Sequence, residues 1–221
     1  MLEEKIIELK KELVGFATLA ENMITKSVRG LLKNQAALLR EVEDIHEPDA
    51  NTLEIEIEEL CTSVIAQYEP RAKDLRTVLM IFKMVGDIER MGDHAVHIAD
   101  SGLFLITKPL VKPLIDIPRM SDETVKSVED SIQSFINEDA TLARSVCERD
   151  DIIDGLQTQI FRELVTYMTA DPATIERSLH LIRIANNLER IADLATNISE
   201  DVIFMVQGKI IKHHQEERLK S

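Results

Sequence analysis

Acidic side chains one helical turn apart recur in this 221-residue chain, and oxygen donors at that spacing are what a multivalent cation takes as ligands. Glu89 and Asp93 stand in the stretch GDIERMGDHAVHIAD (86–100), with Asp100 further along the same edge. Glu189 and Asp193 repeat the pair 100 residues later. Asp150 and Asp154 form another pair in DDIID, and Glu47 with Asn51 forms one in EPDAN. Asn51 is the weak member, because a neutral amide oxygen binds a cation less strongly than a carboxylate. On an exposed helix a like-charge i,i+4 pair costs about 0.2–0.5 kcal/mol, and partial burial adds to it. Two things can offset the repulsion. Arg90, Arg190 or neighbouring cations can build a salt-bridge network, or the carboxylates can hold a metal ion.

The elements that would carry these pairs are helices. With Ile88 at zero on a helical wheel, the apolar residues Ile81, Met84, Val85, Met91, Ala95 and Ile98 fill an arc of about 80° to either side. Glu89, Asp100 and Asp93 fall at about 100°, 120° and 140°, the margin where a helix meets its neighbour. Glu189, Glu200 and Asp193 occupy the same angles beside Leu181, Ile184, Leu188, Ile191 and Ala195.

Apolar spacings of three and four predict one long helix from Leu2 to Ile45, a break at EPDAN, a second helix near 48–68 and a third from about 71 to 107. KPLVKPLIDIP (108–118) holds three of the six prolines and reads as a linker. The plan then recurs, with helices expected near 121–147, 150–169 and 172–207, Asp171–Pro172 as an N-cap and first helical position, and Gly208 as a stop. Residues 76–100 align without gaps on 176–200, with identities at Leu79/Leu179, Glu89/Glu189, Arg90/Arg190, Asp93/Asp193, Ala95/Ala195 and Ile98/Ile198. The chain is therefore read as all-α, two tandem three-helix bundles from an internal duplication: 1–107, the linker 108–118, and 119–221.

Composition narrows the function. A net charge of −14 argues against nucleic-acid binding and suits a cation or a basic partner. Cys61 and Cys147 lie far apart with no CxxC, which fits idle thiols in a reducing compartment. No apolar run is long enough for membrane insertion, so a cytoplasmic location is expected. No P-loop, GxGxxG or GxSxG motif is present, no catalytic residue is assigned, and the chain is read as a non-enzyme. His97, one turn beyond Asp93, is replaced by Asn197 in the second copy, which argues against a ligand role. Glu43 and His46 have the ExxH spacing of di-iron bundles, but no second ExxH faces them, so a metal-storage or di-iron-type protein is the alternative reading. Arg71, Asp74 and Arg76 read as a helix start and its surface, Met80, Met84 and Met91 as core filler, and His213 with His214 as a solvated tail.

EPRAKDLR…MVGDIERMGDHAVHIAD and LIRIANNLERIADLATNISEDVIFMVQGKIIKH resemble the two signature stretches of the PhoU family, and the resemblance covers nearly the whole chain. It implies a cytoplasmic, usually dimeric, all-helical negative regulator of phosphate uptake and the phosphate-starvation response. Its implied partners are a phosphate ABC transporter and a sensor histidine kinase. Family members can carry multinuclear metal clusters on E(D)xxxD motifs. That motif falls here on Glu89 and Asp93, Glu189 and Asp193, Asp150 and Asp154, and Glu47 with Asn51. Iron, zinc, magnesium and calcium are all possible occupants.

Overall fold

A computed structural model describes residues 1–208; the tail with His213 and His214 lies outside the described residues. The chain forms helices α1 (Leu2–Leu32), α2 (Ala36–Glu41), α3 (Glu47–Tyr68), α4 (Lys73–Leu105), α5 (Asp116–Asn137), α6 (Ala140–Ala170) and α7 (Ile175–Gln207). A π-helical turn, Val42–His46, joins α2 to α3 without a break, so each half consists of three helical rods. α4 and α7 are the central rods. They pack against each other across the two halves, antiparallel, with Lys83 opposite Asp201 and His94 opposite Asn187.

The first turn of each half lies earlier than periodicity predicts. α1 ends at Leu32 rather than Ile45, and α5 ends at Asn137 rather than near 147. Asn34 and Glu138 take the left-handed conformation (φ 51° and 52°). Around them the bonds are alike: Gln35 N–H donates to Gly30 O and Asp139 N–H to Ser134 O, both at 2.8 Å, while Asn34 and Glu138 donate to Leu31 and Phe135. These are Schellman closures. Asp139 then caps α6, its carboxylate accepting from the N–H groups of Thr141 (2.8 Å) and Leu142 (3.1 Å). The apolar periodicity continues across both turns, because the faces before and after each turn are buried in one core. Pro48 does not end a helix as expected. Its ring would clash with a carbonyl four residues back, and the preceding π turn, closed by Glu47 N–H to Val42 O, widens the rod there instead.

α5 begins at Asp116 rather than 121, with Pro118 in its first turn, where no N–H is needed. The segment before it is tied down by Lys112. Its ammonium is buried, donates to Asp116 (2.9 Å) and pairs with Glu163 of α6. Asp171 accepts from Ala173 N–H (3.0 Å) and opens the 3-10 turn Pro172–Thr174, and Gly208 ends α7 with φ 67°.

Close approach of α1, α2 and α4 depends on Leu39, which is fully buried. A Cβ on Gly30 would lie 2.6 Å from one Leu39 methyl, and one on Gly102 would lie 3.1 Å from it. Leu39 is thus held from two sides and cannot retreat. Gly30→Ala should cost about 1–3 kcal/mol through overpacking, read as a lower urea midpoint at unchanged slope. An unchanged midpoint would mean that α2 is free to shift.

Candidate functional site: carboxylate rows on two helix seams

In the second half α6 and α7 run antiparallel, bridged by Gln157 Nε2 to Asn186 Oδ1 (3.0 Å) and by Cys147 Sγ to the carbonyl of Thr196 (4.0 Å). Asp150 and Asp154 lie between the two bridges on α6, and Glu189 and Asp193 lie between them on α7. The four carboxylates therefore share one stretch of one seam. Their mutual charge is felt: burial first, then Asp193, Asp154 and Asp150, push the Glu189 carboxyl above its usual range, against Arg190. Asp193 is raised by burial and then by Asp154. Glu200 and Asp150 also act on Cys147, which burial and these charges push up to about 11.

The first half places a similar row on α3 and α4, with one residue exchanged. Glu89 is pushed up to about 7 by burial, then by Asp93 and by Glu54 of α3. Glu54 is itself raised by burial, Glu58 and Asp93. Glu47, half-buried, and Asn51, exposed, stand at the start of α3 and are not among the charges acting on Glu89. The reason is register. The offset of 100 that matches Glu89 to Glu189 also matches Glu54 to Asp154 and Ala50 to Asp150, whereas Glu47 and Asn51 sit three residues, nearly a turn, too early. Applying that offset to the second helices of the two halves would have found Glu54 from sequence. Further along, burial and the neighbouring Asp100 raise Glu43 of the π turn.

Arg90 does not neutralise the first-half row by pairing. Arg90 turns to the buried Asp87 and to Gly86 O (3.3 Å). Among the described residues no ion pair engages Glu54, Glu89, Asp93, Asp154, Glu189 or Asp193. The remaining candidates are occupied elsewhere. His46 Nε2 lies 2.7 Å from Lys26 Nζ, which also donates to Glu41 (2.6 Å), so the ExxH spacing builds a hydrogen-bonded cluster. His97 is exposed beside His94, ring centroids 6.2 Å apart. Cys61 is buried, its thiol pushed up to about 12, which leaves it inert.

The donor chemistry of the rows fits a hard or borderline cation: clustered carboxylate oxygens, with Glu54, Glu89, Glu189 and Asp193 raised by burial and by their acidic neighbours. Their side chains stand apart, and among the described residues no three His, Cys, Asp or Glu side chains converge as a preformed ligand set. A cation would have to draw them together, and half-exposed carboxylates on long helices have the rotamer freedom for that.

A PhoU domain model matches residues 13–102 and again 117–202, one copy for each half. A phosphate-specific transport system accessory protein PhoU homolog of Aquifex aeolicus is 41% identical over 213 residues, 96% of each chain. A second such homolog from Thermotoga maritima is 34% identical, covering 99% of this chain and 93% of its own. The crystal structure of PhoU from Pseudomonas aeruginosa superposes with a TM-score of 0.91 at 32% identity, covering 95% of this chain and all of the other. With two copies of the domain, a helical duplication and relatives matched along nearly their full length, the chain belongs to the PhoU family.

Proposed function

We propose that this chain is a regulatory accessory protein of phosphate transport, acting without catalysis as an adaptor. It would lie between a phosphate ABC transporter and a sensor histidine kinase, and repress phosphate uptake and the phosphate-starvation response when phosphate is plentiful. The match to named phosphate-transport accessory proteins over 96% of both chains is the observation that carries this reading. A cytoplasmic homodimer is part of the proposal, and no helix among the described residues is long and apolar enough to cross a membrane.

Multinuclear metal clusters on the carboxylate rows form the second part. Glu189, Asp193, Asp150 and Asp154 would hold the ion in one half, with Glu89, Asp93 and Glu54 in the other; Glu47 and Asn51 would lie at the edge of the first. Bound metal would supply positive charge that pins α6 to α7, giving partners a fixed surface. A di-iron enzyme is less favoured, because Lys26 occupies His46.

Deleting the gene and measuring alkaline phosphatase in high phosphate tests the regulatory role. Activity should rise to its starvation level, and unchanged repression would sink the adaptor reading.

A further inference from the structure

The α6–α7 seam changes character along its length. On one side of the Gln157–Asn186 bridge lie the carboxylates; on the other, toward the 171–174 connection, the outer face is apolar. Phe161 and Val165 follow Gln157 by four and eight residues, and Leu179 and Ile175 precede Asn186 by seven and eleven. These offsets are near whole helical turns, so all four side chains stay on the outer face of the seam. They are 49%, 39%, 55% and 43% exposed, respectively.

Basic groups flank this stripe. Arg162, next to Phe161, and Arg183, one turn from Leu179, are exposed. Arg162 and Arg183 have no ion-pair partner among the described residues. Of the acidic residues nearby, Glu163 is engaged by Lys112 and Asp171 caps the 3-10 turn, which leaves Glu176 against the two arginines. The first half keeps an exposed Leu79 but neither the aromatic anchor nor the basic flank. At the offset of 100, Phe161 corresponds to the buried Cys61, Arg162 to Thr62, and Arg183 to Lys83, which Asp201 neutralises.

We propose that this end of the seam receives an acidic amphipathic helix from a partner protein. A helix laid on a two-helix seam buries anchors at i, i+3, i+4 and i+7, and the exposed stripe is about two turns long. α5 already covers the opposite face of α6 and α7, so an added helix completes a four-helix arrangement. Charge selects the partner. The chain carries −14 overall, so acidic segments are repelled elsewhere and attracted here, where Asp or Glu beside the anchors meets Arg162 and Arg183. An anionic membrane is the poorer occupant, since a broad lipid surface would also meet the adjoining carboxylate row.

The surface rests on the adaptor reading only in that an adaptor needs a partner. Its test contains no transporter or kinase, so failure here leaves the deletion phenotype standing. The probe is a fluorescent synthetic helix of about four turns, with Leu on one face and Glu on the other, followed by anisotropy. It should bind, more weakly at high salt, and its lysine-for-glutamate version should bind about ten-fold or more weakly. Arg162→Glu with Arg183→Glu, and separately Leu179→Ser, should each weaken the acidic peptide about ten-fold. The proposal is overturned by equal binding of both peptides, by no binding of the acidic one, by variants that bind like the parent, or by capture on phosphatidylglycerol vesicles in preference to the peptide.

Discussion

Lys83→Met is expected to destabilise the chain by about 2–3 kcal/mol, among the largest effects of any substitution outside the apolar core. Lys83 donates to both carboxylate oxygens of Asp201, at 2.5 and 2.6 Å, across the α4–α7 contact that joins the halves. Asp201 and Asp87 are both nearly buried and close enough for their charges to interact. With Lys83 removed, two enclosed carboxylates would share Arg90 and whatever else reaches Asp201. Breaking a fully buried pair typically costs about 3–5 kcal/mol; Lys83 keeps partial contact with water, which sets the lower figure.

The loss should also shrink in acid. Burial already holds the Asp87 carboxyl above its usual range, with Arg90 and Lys83 opposing that shift. Without Lys83 the folded state binds protons more readily than the unfolded state, so its stability rises as pH falls. Adding Asp201→Leu to Lys83→Met should restore most of the loss, since an apolar replacement removes the stranded charge. Urea titrations at pH 7 and pH 4.5 measure all three variants. A single mutant within about 0.5 kcal/mol of the parent at pH 7 would mean that the pair contributes nothing.

The second large effect concerns the carboxylate rows. In metal-free protein Glu89 and Glu21 are pushed up to about 7 from 4.5, Glu21 by burial and then by Glu129, and Glu189 and Asp193 are raised as well. A raised carboxyl leaves the folded chain holding more protons than the unfolded one between about pH 4.5 and 7. Stability of the metal-free protein should therefore fall as pH rises through that window. These groups are partly solvated, so each contributes only about 1 kcal/mol.

A cation should reverse the trend. It competes with protons for the same oxygens, so its stabilising effect grows with pH. At one hundred times its dissociation constant, a bound ion adds about 2.7 kcal/mol, seen as a higher Tm when zinc, calcium, magnesium or ferrous iron is added to chelated protein at pH 7.5. Glu189→Gln with Asp193→Asn should abolish much of that rise and flatten the pH dependence. A cation response identical in the double variant would remove these residues from the proposed site.

Much of this was legible in the residues alone. Spacings of three and four made the chain helical, because each helix must bury one face. The offset of 100 exposed the duplication, because equivalent helices repeat the same buried contacts. The acidic pairs could be picked out by type and spacing, and their metal chemistry is what the cation titration tests. What the sequence did not decide was where each half turns and which charges meet. The turns at Asn34 and Glu138 are made by single left-handed residues inside an unbroken apolar pattern, and periodicity registers a buried face whether or not the chain reverses. That position sets the register of α3 on α4, and the register makes Glu54 face Glu89 and Asp93 in place of Glu47 and Asn51. Lys83 and Asp201 are separated by 118 positions, and no local pattern links them. Composition, face and repeat are patterns along the chain, which a sequence carries. Partnership across a seam depends on how rods are aligned, and only the packed core decides that.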